Sequence, residues 1–268
     1  MALSTEIRIA NEEWEAVATA HGAQVLAFRS RLPEAHPILW LGKKADFSPG
    51  SAIRGGIPLC WPWFGAAPQP GLPVNGMVRT EQWTLAEHTG ISAKYCTRQI
   101  FAETPFELSL SVALSNRLEL ELACTSLGSK AVRIECALHT YLAVGDVDHI
   151  SVSGLQGHEG EDFASGEKFV WRGEFVPSGE CRKRFPRVSS AELHDKVWHR
   201  KIRVESTCGS GCFLWNPGAE RCAGFADMEK DEYRRMFCIE STFAGDDAWR
   251  IKPGETRQLI MSLSEHPE

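Results

Sequence analysis

The sequence predicts an all-β protein of stacked antiparallel sheets, and three observations carry that prediction. Between residues 108 and 124 apolar side chains alternate with polar ones: Leu108, Leu110, Val112 and Leu114, then, after Ser115-Asn116, Leu118, Leu120, Leu122 and Cys124. Successive strand side chains point to opposite faces, so this reads as a hairpin with one buried face and with Glu119 and Glu121 turned to water. No stretch sustains an apolar period of 3.6 residues, and nothing repeats at a fixed spacing. No linker-like segment divides the chain, so residues 1–268 are expected to form a single domain, a length all-β folds commonly reach.

In chain order, residues 5–30 alternate loosely about a break at Gly22 and read as a strand followed by a hairpin. Pro37 to Leu41 is a short apolar strand, and Ala45 to Ile53 a polar loop. Ile53 to Gly65, IRGGIPLCWPWFG, sets Ile57, Leu59, Trp61 and Trp63 on one period-two face, but Pro58 and Pro62 fall between them. Neither proline has an N–H for a ladder, so this segment is a stiff, extended piece partly freed from its sheet. Gly65 to Pro73 is loop. Trp83 opens the run of strands that ends with Val132, Ile134, Cys136 and Leu138, directly before His139. Residues 149–186 carry weaker, glycine-broken strands, and residues 197–216 return to strands. Met228 to Arg235 reads as one short helix, and Phe237 to Glu240 and Arg257 to Leu263 close the fold.

A net charge of −6 and a pI near 5.9 argue against nucleic acid or an anionic membrane as partner, because both demand a basic face. No secretory signal opens the sequence and no apolar run approaches a membrane span. The nine cysteines are an odd number, with Cys208 and Cys212 the only close pair and no zinc-ribbon spacing. A reduced, cytoplasmic protein is the simplest reading; the sequence leaves the oligomeric state open, a monomer included.

No phosphate loop, dinucleotide fingerprint or GxSxG is present. His194 and His199 would face opposite ways on a strand. The acidic run Asp227 to Glu232 lacks the calcium-loop pattern and reads as a solvated charged surface. Two residues are left unexplained by their apolar strand context, His139 and Glu240. His139 reads either as a hydrogen-bonded core histidine or as a functional one; Glu240 reads as a buried ion pair with an arginine or as a carboxylate with a task. Brought together, they would make a general acid/base pair working near neutral pH.

Five blocks then fall in one order: Arg54 to Gly65 with Gly76-Met-Val-Arg79, Leu138-His-Thr-Tyr-Leu142, His194-Asp-Lys-Val197, Leu214-Trp-Asn-Pro217 and Asp231 to Glu240. Together they resemble the hexose-6-phosphate mutarotases, a branch of the aldose 1-epimerase family. The resemblance implies a β-supersandwich of the galactose-mutarotase type with a sugar phosphate in a cleft on one sheet. It implies that Glu240 is the base taking the proton of the C1 hydroxyl and His139 the acid serving the ring oxygen, with no cofactor or metal. It also implies that Arg54 and Arg79 hold the phosphate and that Asp195 hydrogen-bonds sugar hydroxyls. Asn75 would bond a hydroxyl where many relatives carry histidine. Ser241-Thr242 and Gly218 depart from the family pattern. Trp61 or Trp63 would either stack on the sugar or belong to the core. A sugar-phosphate binder without catalysis and an epimerase of unphosphorylated aldoses are the alternatives; an acid/base pair speaks against the first and the two arginines against the second.

Overall fold

The computed structural model describes residues 6–207 and 209–268. Cys208, half of the close cysteine pair, and residue 5, where the first strand was expected to begin, lie outside the described residues. Among those described, the chain folds into two eight-stranded antiparallel sheets with a three-stranded sheet at the N-terminal end and a two-stranded ribbon. The alternating hairpin forms as expected: Thr104–Leu114 pairs with Leu118–Ser126, with Leu110 opposite Leu122 and Val112 opposite Leu120. All eight alternating apolar residues of this hairpin's own sheet are buried in the main core. That sheet runs Ile150–Ser153, Ser190–Asp195, Arg200–Ser206, Thr256–Pro267, Leu118–Ser126, Thr104–Leu114, Ser92–Phe101 and Thr84–His88.

The facing sheet carries the cleft. Its central strand, Met236–Phe243, is buried along almost its whole length. It pairs on one side with Gly211–Asn216 and on the other with the short strands Cys136–Leu138 and Tyr141–Ala143. Beyond Gly211–Asn216 lies Cys181–Phe185. Met236–Phe243, Gly211–Asn216 and Tyr141–Ala143 turn one face to the main core and the other to a smaller aromatic cluster containing Trp40, Tyr141, Phe213 and Trp215. Strands with both faces covered read as continuous apolar runs, which is the pattern of Met236 to Ile239.

The proline-broken segment sits at the edge of this sheet. Only Leu59–Cys60 forms ladder, against Cys136–Leu138. Its prolines cannot donate, but their carbonyls accept: Pro58 O from His139 N at 3.0 Å and Pro62 O from Glu135 N at 2.9 Å. Two glycines make the close approach possible. A Cβ on Gly56 would stand 2.2 Å from Val25 O, and one on Gly76 would stand 2.0 Å from Trp61 O. Both also have φ in the left-handed region, where a side chain is strained.

Two local expectations are corrected. Residues 228–235 form only a 3-10 turn, Glu232–Arg235, whereas a six-residue α-helix stands at Gly218–Ala223. Six residues are too few to leave a periodic signal. Gly218 is the residue that admits this helix, since a Cβ there would meet Glu180 N at 2.7 Å. Nor is the acidic run 227–232 merely solvated. Glu232 is buried and accepts from the backbone N–H of Lys43 at 2.9 Å and of Glu229 at 2.7 Å, tying this loop to the 42–45 turn. No described helix is long and apolar enough to cross a membrane.

Candidate active site

His139 interrupts the edge of the cleft sheet between two short strands that both pair with Met236–Phe243. Leu138 lies opposite Ser241 and Tyr141 opposite Cys238, on one register, which brings His139 opposite Glu240. On its other side Glu240 faces Phe213. Ser241 and Thr242, in place of the family's usual residues, continue the strand without a break and keep Glu240 in line.

His139 Nε2 stands 3.4 Å from Glu240 Oε1, and both side chains are buried. Neither Glu240 oxygen, nor His139 Nδ1, finds a hydrogen-bond partner among the described residues. Burying a carboxyl without partners is costly, so such a group needs a functional reason. Burial pushes the Glu240 carboxyl well above the usual carboxylate range, against a smaller opposing effect of the Arg79 charge. It pushes His139 down to about 3, helped by the Arg79 and Arg54 charges. Burial thus favours the uncharged form of the pair, with the shared proton on Glu240. Cys238 completes a buried group of three metal-capable ligands with His139 and Glu240, their ligand atoms all within 4.8 Å. Burial keeps the Cys238 thiol protonated, which works against its acting as a ligand.

Both residues open into a cleft of about 330 Å³ that Arg54, Asn75 and Arg79 also line. Its apolar walls are Phe64, Phe163, Phe213, Trp215 and Phe225. His139 stacks on Tyr141 with ring centroids 4.7 Å apart, and Trp215 meets it edge-on at 5.8 Å. Three roomier grooves, near Gly157–Glu161, near Pro217–Arg221 and near Asp247–Arg250, contain no such unpartnered buried acid among the described residues.

Arg54 reaches the cleft already engaged. Its Nε and Nη2 donate to the two oxygens of Asp227 at 2.9 and 3.2 Å, its Nη1 donates to Tyr141 Oη at 3.2 Å, and it lies over the Phe225 ring. These partners raise its pKa despite burial. Arg79, on a 3-10 turn, donates from Nη2 to Val74 O, and its buried Nε has no partner. Asn75 closes the loop it ends: its Oδ1 accepts from Gly65 N at 2.7 Å and its N–H donates to Gly65 O at 2.8 Å.

The structure does not bring Asp195 to the cleft. It ends a strand of the other sheet, fully buried. Its Oδ2 accepts from Gly145 N at 2.9 Å, and its Oδ1 from the N–H of Val197 at 3.1 Å and of Trp198 at 3.2 Å. A carboxylate with three backbone donors is a turn-former. Trp61 and Trp63 likewise belong to the core: Trp61 meets Phe101 and Phe106 edge-on, and Trp63 donates from Nε1 to Pro73 O. Sequence reasoning did not single out Tyr141 and Asp227, which hold Arg54, or Arg182 and Arg221, which line the cleft. Only Tyr141 carried a signal, through its place two residues after His139.

The described fold is thus a β-sandwich whose arginine-bearing aromatic cleft holds a buried histidine–glutamate pair. The family model described as Aldose 1-epimerase matches residues 5–264, and the chain belongs to that family. It is 30% identical over 256 residues to the Escherichia coli (strain K12) protein named "Putative glucose-6-phosphate 1-epimerase", covering 89% of this chain and 84% of the relative. A protein of the same name from Salmonella typhimurium is 30% identical over 257 residues, with the same coverage. The fold matches a crystal structure of a "putative mutarotase" from Salmonella typhimurium with a TM-score of 0.88 at 24% identity, covering 98% of this chain and 90% of that one. It is thus a galactose-mutarotase-like β-supersandwich.

Proposed function

We propose that this protein interconverts the α and β anomers of hexose 6-phosphates, glucose 6-phosphate first, with His139 and Glu240 moving the protons. The observation that carries the reading is the buried pair itself: a carboxyl with no partner, 3.4 Å from an imidazole, at the floor of a sugar-sized cleft. A protein that only bound sugar would gain nothing from an acid left unsatisfied.

The proton count supports a cycle without a cofactor. In ring opening one group takes the proton of the C1 hydroxyl while the other gives a proton to the ring oxygen. The C1–O5 bond breaks and a C1 aldehyde forms. Each group thereby becomes what the other was. Glutamate ionised with histidine protonated, and glutamate protonated with histidine neutral, are thus the two ends of a single ring opening. They share one proton between them, so nothing need exchange with solvent. With Glu240 as base, the uncharged pair favoured by burial is the state that accompanies the open aldehyde. Rotation about C1–C2 presents the other aldehyde face. Closure then takes the proton of the C5 hydroxyl and returns one to the C1 oxygen. Stacking on Tyr141 fixes the imidazole plane for both transfers.

The arginines lining the cleft support a phosphorylated sugar over a free one, since an acidic protein otherwise repels the phosphate. The name shared by the two relatives points to the same substrate. The residues from 1 to 268 are read as one domain serving one cleft. Saturation-transfer NMR of the glucose 6-phosphate anomers tests the reading: wild-type protein should accelerate exchange well above buffer, and Glu240→Gln should abolish most of that rate.

A further inference from the structure

Four arginines line the cleft, and their partners differ. Arg54 commits three of its five donors, and Asp227 compensates its charge. Arg221 is paired with Glu180 at 3.2 Å. Arg182 has no hydrogen bond or ion pair from its side chain among the described residues, although it lines the same cleft and is half-buried. The basic residues beside it in the strand are all matched: Lys183 to Asp162, Arg184 to Asp247. A half-buried guanidinium left without an acceptor, in a strand where its neighbours have carboxylates, is poised for an anion that arrives from outside.

Its position in the sheet fits the end of a sugar remote from the reacting carbon. Arg182 pairs with Trp215, which pairs with Cys238, two residues before Glu240 and on the same face of the strand. Two strand spacings therefore separate its backbone from that of Cys238, about 10 Å across the sheet. An extended arginine can cover most of that span above the Trp215 ring. The Arg79 charge, by contrast, bears directly on both His139 and Glu240. Arg79 is thus the arginine nearer the pair and Arg182 the one farther along the cleft, and the buried Arg79 Nε also lacks a partner.

Accepting the mutarotase reading, we propose that Arg182, acting with Arg79, is the residue that selects a phosphorylated sugar, and that Arg54 is a positioning residue held between Asp227 and Tyr141. The phosphate, a few bonds beyond the ring oxygen, lies across the outer cleft and takes the Arg182 fork two oxygens at a time. Arg54 instead fixes the phenol on whose ring His139 stacks.

The test compares kcat/KM for glucose 6-phosphate and for glucose in wild type, Arg182→Ala, Arg182→Lys and Arg54→Ala, alongside the rise in Tm produced by inorganic phosphate. Arg182→Ala should lower the phosphosugar-to-sugar ratio of kcat/KM roughly 10- to 100-fold, the worth of a charged hydrogen bond. The loss should fall on KM, and the phosphate-induced rise in Tm should disappear. Arg182→Lys should recover only part, because an ammonium lacks the fork. Arg54→Ala should slow both sugars together. An unaltered ratio and an unaltered phosphate effect in a folded Arg182→Ala protein would overturn the proposal, as would a loss of ratio confined to Arg54→Ala. If wild type exchanges glucose but not its 6-phosphate, the phosphosugar reading falls with it. If wild type exchanges neither, the mutarotase reading fails, and the Tm shift alone then decides whether Arg182 binds phosphate.

Discussion

Glu240 Oε1 lies 3.4 Å from His139 Nε2, on strands whose register sets the two residues opposite one another. The distance is too long for a good hydrogen bond, and neither carboxylate oxygen has another partner among the described residues. The pair is held ready for a third group, and several expectations depend on its acting as one unit.

Because both proton transfers occur in one ring opening, removing either group should cost nearly as much as removing both. Glu240→Gln and His139→Gln should each slow catalysed exchange by roughly 10²–10⁴-fold, and the double variant should be little slower than either. Exchange rates from saturation transfer on the three proteins check this. Multiplying effects would mean that the two groups act in separate steps.

The pH dependence follows from where the shared proton sits. Activity requires one proton on the pair, so it fails when a second is added or the first is lost. His139 takes up a second proton only near pH 3, and Glu240 loses its own well above the carboxylate range. The catalysed rate, corrected for buffer, should therefore stay level as pH falls from 7 to 5 rather than drop with a midpoint near 6.5 as for an ordinary histidine. An acid limb centred near 6.5 would show that His139 is not held neutral.

Stability gives the sign for Glu240 alone. Its folded pKa lies well above the ordinary glutamate value of about 4.5, so its contribution is fully present below that pH and is lost as pH rises toward the folded pKa. The unfolded chain ionises first, and each pH unit in that window costs the native state up to about 1.4 kcal/mol. Glu240→Gln should remove this slope and be more stable than wild type at pH 8 in urea titrations. Equal slopes for the two proteins would contradict the burial effect.

Tyr141 should matter through its hydroxyl as well as its ring. Tyr141→Phe keeps the stack with His139 but removes the acceptor of Arg54 Nη1. The loss should appear as a roughly tenfold lower kcat with little change in KM, at unchanged fold by circular dichroism. A variant indistinguishable from wild type would remove Arg54 and Tyr141 from the positioning account.

Asp195 should behave as a structural residue. Asp195→Ala leaves three backbone N–H groups, that of Gly145 buried and those of Val197 and Trp198 part-buried, without their acceptor and Arg200 without its neighbour at 3.9 Å. A loss of about 3 kcal/mol in urea unfolding is expected, with KM for glucose 6-phosphate unchanged. A raised KM at unchanged stability would return Asp195 to the cleft.

Much of this protein is legible in its sequence, for local reasons. Alternation in Leu108 to Cys124 reports the buried face directly, because a strand's period is a property of neighbouring residues. Pro58 and Pro62 announce an edge because each removes a donor. His139 and Glu240 stand out individually as polar groups in apolar strands, yet only the register of strands a hundred residues apart sets them opposite each other. The bond between Arg54 and Asp227 spans a still longer stretch of chain and leaves no local trace. For the same reason Asp227 reads as surface, and Asp195, whose partners are backbone amides, reads as a ligand.

The most direct test of the central claim is anomer exchange of glucose 6-phosphate by saturation-transfer NMR at neutral pH, with wild type and Glu240→Gln at equal concentration. A wild-type rate far above buffer that collapses in Glu240→Gln is the expected result. No acceleration by wild type, or an undiminished rate in Glu240→Gln, would contradict it.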